Sequence, residues 1–252
     1  MRETYDVCGC FPTGRHYAGI ADKLAAAFQT KGFSGEIDPS TDWREVKLAV
    51  IDLETTGLTA ESDRVIEVGV AFFEKGHFTE SRNWLVNPGI PIPEQARAVH
   101  QIKDEQLADA PFFDRVLPEL CEMLRECVPV AYNATFDHSF LTAEINRLGP
   151  AAPSPSALPA ALRPQTAWID PLVWARELQR NEKSKKLADV CARLGIELRD
   201  AHRACGDAEA AGKVLLAFAP QMPASYGELI RLQKQYAARQ ELDLANWRKR
   251  RS

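Results

Sequence analysis

Two acids one residue apart close an apolar run: Asp52 and Glu54 in the stretch Val50-Ile51-Asp52-Leu53-Glu54-Thr55-Thr56-Gly57-Leu58. Side chains two apart on a strand point to the same face, so a strand ending here sets two carboxylates side by side. Like charges that close repel, which costs stability unless a cation is present. The spacing alone is a weak signal, because about one such pair arises by chance in a chain of this acid content. A second does occur, at Asp207 and Glu209. What separates the first pair from acids in an open loop is its place directly after a buried-type run.

Two further segments carry related chemistry. Asn133-Ala134-Thr135-Phe136-Asp137 follows the apolar run Val128–Tyr132. Asp137 there is also what a helix dipole favours in a first turn. His202-Arg203-Ala204-Cys205-Gly206-Asp207 sets a histidine five residues ahead of an acid. On one helix that spacing turns through about 500°, so the two would not share a face. They converge only if His202 lies on the loop before the helix, and Gly206 marks a break there. Taken together, four carboxylates can hold two hard divalent cations through oxygen. Two such ions about 3.5–4 Å apart clamp a scissile phosphate, activate an attacking water and stabilise the leaving oxygen. A neutral imidazole nearby can accept the water's proton.

The elements that must position these groups read as strands first. Lys47–Leu53, Arg64–Phe73 and His77–Val86 are strand-like, with a turn at Glu74-Lys75-Gly76. Apolar spacing predicts a helix over Asp114–Cys127, a buried strand at Val128–Tyr132 and a helix over Thr135–Leu148 ending at Gly149. Gly149–Pro164, rich in Pro and Ala, reads as a surface loop. Thr166–Ile169 is a fifth short strand, and Asp170-Pro171 opens a helix with Asp as its cap and Pro in its first position. Lys186–Leu194 and Asp207–Phe218 complete the pattern, which is that of an α/β mixed sheet covered by helices. Three regions follow: an unassigned extension over 1–46, a domain over 47–219 and a basic helical tail over 220–252. The extension holds one helical stretch near Ile20–Phe28.

Composition narrows the class. The chain has 252 residues, 45% hydrophobic and 26% charged, which excludes wholesale disorder and a fibrous rod. No apolar run approaches the roughly 18–20 residues of a membrane helix. The start has no apolar core behind a basic end, so a cytoplasmic, reducing compartment is expected for the six cysteines. Cys8 and Cys10 with His16 nearby lack the second paired element of a metal site and read as a loop. The net charge is −4, with seven basic and three acidic residues from Gln221 onward, so the rest of the chain is more acidic than the total. A solvated end is the preferred reading of the Lys/Arg tail, ahead of phosphate tracking.

At the level of motifs the chain resembles the DEDDh exonucleases of the DnaQ-like superfamily. The resemblance runs over about Lys47 to Ala219. It is carried by V-I-D-L-E-T-T-G-L at 50–58, N-A-T-F-D at 133–137 and H-R-A-C-G-D at 202–207. A-V-H-Q-I at 98–102 is similar to the family's V-H-G-I with Gln101 in place of Gly. Asp170-Pro171-Leu172 with Ala175-Arg176 is similar to its D-T-L…A-R helix. The resemblance implies an RNase H-like mixed five-stranded sheet with helices on both faces. It implies that Asp52, Glu54, Asp137 and Asp207 bind two Mg²⁺ or Mn²⁺ ions, with His202 as general base. It further implies release of nucleoside 5′-monophosphates from the 3′ ends of single-stranded nucleic acid. Leu53, Thr55, Leu58, Asn133, Phe136 and, ranked lower, His100 would contact the 3′-terminal nucleotide. The motifs do not separate DNA from RNA; DNA is placed slightly ahead. The alternatives are a non-catalytic adaptor docking a polymerase or other protein through the flanks, and an oligoribonuclease acting on very short RNA. No run resembles a sliding-clamp motif, so a replicative proofreading role is not supported.

Overall fold

The structure, a computed structural model, describes residues 38–198 and 202–249. The helix expected near Ile20–Phe28, the Cys8/Cys10 pair and the final Arg250 and Arg251 lie outside the described residues.

Three strands come first: Leu48–Thr55 (β1), Val65–Glu74 (β2) and His77–Leu85 (β3). Lys75 and Gly76 between β2 and β3 both have positive φ, 50° and 75°. That is the geometry a two-residue hairpin turn needs to match strand twist. Helices Glu94–His100 (α1), Asp104–Leu107 (α2) and Phe113–Met123 (α3) precede the short strand Val128–Val130 (β4). Then come Ala134–Arg147 (α4), Pro171–Leu178 (α5), Leu187–Leu194 (α6), Ala204–Phe218 (α7) and Tyr226–Lys249 (α8). α1 and α2 are too short to leave a helical period in the sequence. No helix of the described residues is long and apolar enough to cross a membrane.

The sheet is mixed and four-stranded, in the order β3-β2-β1-β4. β1–β2 and β2–β3 are antiparallel, while β1–β4 is parallel. The expected fifth strand shrinks to one parallel bridge, Val130 with Ile169. It cannot lengthen forward, because Asp170 and Pro171 immediately start α5. Its outer edge is covered by a side chain: Gln233 of α8 accepts from the Asp170 N–H at 2.8 Å and donates to the Trp168 carbonyl at 2.8 Å.

Alternation along β1 divides the core. Ala49, Ile51 and Leu53 join a cluster with α3 and α4, whereas Leu48 and Val50 join one with α5 to α8. Asp52 and Glu54 continue the second row, so they emerge on the face that α7 covers. α7 lies unusually close to β2. A Cβ on Gly69 would stand 2.3 Å from the Ala204 carbonyl carbon, and one on Gly212 would stand 2.2 Å from the Phe73 ring. Each contact is shorter than a real methyl tolerates, so glycine here sets the depth at which the helix sits.

The Pro/Ala stretch departs from the surface loop its composition predicts. Leu158, Ala160, Ala161 and Leu162 are buried, and the Trp168 indole donates to the Ala161 carbonyl at 2.9 Å. Small apolar side chains let this irregular segment fill space in the core instead of crossing over the surface. The tail also folds back. Tyr226, Leu229 and Ile230 of α8 are buried in the cluster that holds α5 and α7.

Candidate active site

β1 runs two residues past the expected end at Leu53, so Glu54 as well as Asp52 is within the strand. Across the ladder Asp52 faces Gly69, and Glu54 faces another acid, Glu67. The register shifts after Glu54, with Thr55 pairing to Val65. The extra residue on β2 is Ile66, which packs with Ile92, Ile102 and Leu107 and so seats α1 and α2 beside the strand ends.

α7 starts at Ala204, three residues before Asp207, and runs through Gly206 without the predicted break. The cause is Glu67. Its carboxylate is fully buried and accepts from the Ala204 N–H at 3.1 Å, capping a helix that has no side-chain cap of its own. It also accepts from Arg203 Nε at 3.1 Å and from the Asn83 amide at 2.9 Å. Bonds to these groups hold the Glu67 carboxyl below its usual range even though burial pushes the other way. With the helix start fixed there, His202 falls just before it, in a left-handed conformation with φ 64°. Its N–H donates to Asp207 Oδ2 at 3.1 Å. The histidine and acid therefore converge across the loop–helix junction.

α4 is positioned by Asp170. Besides capping its own helix through Leu172 N–H at 2.8 Å, its carboxylate accepts from Asn133 N–H at 3.0 Å and Ala134 N–H at 3.1 Å. Glu144, one turn from the other end, is 1% exposed and binds Arg64 Nε at 2.9 Å and Val65 N–H at 3.0 Å. Held at both ends, α4 presents Asp137, which is buried.

The carboxylate oxygens of Asp52, Glu54 and Asp207 lie within 4.8 Å of one another. Asp137 lies outside that set, though its charge is the strongest of the neighbouring charges acting on Asp52. Burial, then repulsion from Asp137, Asp207, Glu54 and Glu67, pushes the Asp52 carboxyl well above the carboxylate range. Burial, then Asp207 and Glu67, pushes Glu54 up to about 8. Asp207 is raised by burial and Asp137 well above its usual range, again by burial first. Such a cluster gathers more acids than the one nearby cation, Arg203, can offset, and its donor set is all oxygen. Both features fit a hard divalent cation held by Asp52, Glu54 and Asp207.

The expected nucleotide contacts divide. Leu58 is 86% exposed, Asn133 is exposed and Phe136 is half-buried against Phe140. Leu53 points into the core, and Thr55 is buried with its hydroxyl on the Gly57 carbonyl at 2.6 Å. His100 is buried at the end of α1; its Nδ1 accepts from Ile102 N–H at 3.0 Å, and its Nε2 has no hydrogen-bond partner among the described residues. Gln101 beside it adopts φ 59°, a conformation that glycine takes freely. Glu67 and Arg203 have no signal in the sequence that separates them from ordinary surface charges.

A family model described as Exonuclease matches residues 49–215. The PolC-type DNA polymerase III of Streptococcus pneumoniae serotype 2 (strain D39) is 33% identical over 186 residues, which is 74% of this chain and 12% of that protein. The chain thus spans about an eighth of the length of that curated relative. Exonuclease X in complex with 5′-overhanging duplex DNA has a similar fold, with a TM-score of 0.53 and 23% identity over 73% of this chain and 99% of its own. The nuclease domain of 3′hExo, a DEDDh family member solved bound to rAMP, gives a TM-score of 0.58 at 16% identity over 73% and 95%.

Proposed function

This chain belongs to the exonuclease family whose model matches residues 49–215, and from that premise we propose that it is a DEDDh-type phosphodiester hydrolase that shortens single-stranded nucleic acid from the 3′ end, releasing nucleoside 5′-monophosphates. The observation that carries the reading is the convergence of Asp52, Glu54 and Asp207 in a half-buried cluster of mutually repelling carboxyls. These three residues, with Asp137 approaching from α4, would hold Mg²⁺ or Mn²⁺. Bound there, the cations supply charge that draws electrons from the scissile phosphate and ease deprotonation of the attacking water. His202 takes that proton on its imidazole. The His202 backbone N–H, bonded to Asp207 Oδ2, places the residue that carries this imidazole beside a carboxylate of the cluster. Leu58 and Phe136 are the apolar surfaces available to the terminal base, and every base offers a π-face to such contacts. DNA is the first substrate to test, because a relative 33% identical to this chain is a DNA polymerase. We take 47–219 as the catalytic domain, with 220–252 appended to it and the flanks open to a polymerase or other protein partner.

The test is incubation with 5′-labelled DNA and RNA oligomers in Mg²⁺ or Mn²⁺, with EDTA as control. A ladder shrinking from the 3′ end that EDTA abolishes is expected. Absence of metal-dependent shortening for any oligomer discards the reading. His202→Ala lowers the rate by roughly 10²–10⁴ with metal binding retained, and full activity across pH in that variant removes His202 from the role of base.

A further inference from the structure

We propose that a cationic cavity beside His202 and Asp207 binds the phosphates of the substrate strand on the side of the scissile bond away from the 3′-terminal nucleotide. The inference rests on the exonuclease reading above. The cavity measures about 650 Å³, within the range of clefts that take small ligands. His202 and Asp207 line it together with Arg176 of α5, Lys185 on the loop before α6 and Lys186 at the start of α6, over an apolar floor that includes Leu172 and Leu187. Asp207 is the one acid among the described residues that line it.

Three features make this more than a scatter of surface charge. First, the cations are available: Arg176 and Lys186 make no ion pair among the described residues, and Lys185 Nζ donates only to a carbonyl, that of Glu182. Second, they crowd one another. Burial and Arg193 push the Lys185 ammonium below its usual range, Glu182 offsets part of this and Arg176 adds to it, so an anion placed beside Lys185 and Arg176 relieves repulsion. Third, the loop is fixed before a ligand arrives, because Tyr132 Oη donates to the Lys185 carbonyl at 2.6 Å. The chain as a whole carries a net charge of −4, so a polyanion approaching the acidic cluster needs a local positive path. None of the residues assigned to the 3′-terminal nucleotide, such as Leu58 and Phe136, lines this cavity. That assigns it to the phosphates on the other side of the scissile bond.

The test compares the wild-type chain, Arg176→Ala and the double variant Lys185→Ala/Lys186→Ala on 5′-hydroxyl oligonucleotides of increasing length, from the dinucleotide upward. On long oligomers KM rises roughly tenfold with kcat retained. The slope of log(kcat/KM) against log[salt] becomes shallower by about 0.7 for each phosphate contact removed. The dinucleotide, whose single phosphate is the scissile one, is turned over at the wild-type rate. Arg176→Lys keeps the charge and restores the slope. An unchanged salt slope, or a dinucleotide impaired as much as a long strand, overturns the cavity assignment. A wild-type chain that shortens no oligomer instead overturns the exonuclease reading, so the two failures are told apart.

Discussion

Two buried carboxylates outside the proposed catalytic set hold the two helices that carry Asp207 and Asp137. Glu67 caps α7 from β2, and Asp170 caps α4 from the start of α5. Both satisfy helix N–H groups that would otherwise be orphaned. They differ in how their own charge is met. Glu67 is paired with Arg203, and its carboxyl is held below the usual range. Asp170 is bonded by three backbone N–H groups, and burial raises its carboxyl despite them. The positions explain the difference. Glu67 faces Glu54 directly across the ladder, so an uncompensated charge there would add a further repulsion to the acidic cluster. Arg203 in turn lowers the Glu54 carboxyl. On the α4 side Arg176 also lowers the Asp170 carboxyl, but less than the three backbone N–H groups do, and Asp170 is among the charges that raise Asp137. One flank of the site is charge-balanced chiefly by a side chain, and the other chiefly by peptide N–H groups.

The comparison is broken most severely at Asp170. Asp170→Ala leaves three backbone N–H groups without an acceptor, each costing about 1–3 kcal/mol. A loss of about 3–5 kcal/mol in urea unfolding is expected; a loss below about 1 kcal/mol would show that Asp170 is not the clasp of α4. Glu67→Gln comes next. Arg203 is 45% exposed and recovers part of its hydration, so the loss is smaller, about 2 kcal/mol. A double-mutant cycle with Arg203→Ala should return a coupling energy of about 1 kcal/mol or more, and additive losses would argue against the pairing.

The third prediction concerns pH. Glu54 is pushed up to about 8 from 4.5, so the folded chain binds more protons than the unfolded chain in that window. Metal-free stability therefore falls as pH rises through it, by up to about 1 kcal/mol per pH unit. His100 and His138, lowered from 6.5 by burial, act in the opposite direction only below that value. The fall is accordingly read between about pH 7 and 8 by thermal melting. Glu54→Gln reduces the slope, with the raised Asp52 and Asp137 supplying the remainder, and Mg²⁺ offsets it; a slope untouched by either would mean that Glu54 is not among the groups titrating. The smallest effect lies outside both clasps. Gln101→Gly relieves the left-handed strain at the end of α1 and should stabilise by about 0.5–1 kcal/mol. Destabilisation would indicate that the Gln101 side chain makes a contact worth more than the strain.

Much of the site is legible in the linear order of residues. The i, i+2 spacing of Asp52 and Glu54 follows from strand geometry, and the Asp170 cap follows from Asp-Pro at a helix start. The convergence of His202 with Asp207 needs only a loop–helix junction between them, which is where the structure has it, though not through a break at Gly206. The family match covers the same motifs. Less legible are the elements whose formation depends on distant partners: the shortened fifth strand, the buried Pro/Ala segment and the capping of two helices by one carboxylate.

Local periodicity and short motifs determined which residues could gather, because strand alternation and helix capping are set by backbone geometry within a few positions. Tertiary structure alone decided what holds them together. Glu67 and Arg203 are 136 positions apart, and Asp170 and Gln233 are 63 apart. At such separations nothing in the covalent chain correlates the two side chains; they meet only because packed helices and sheet bury both in one place, where an unmet polar group is too costly to leave.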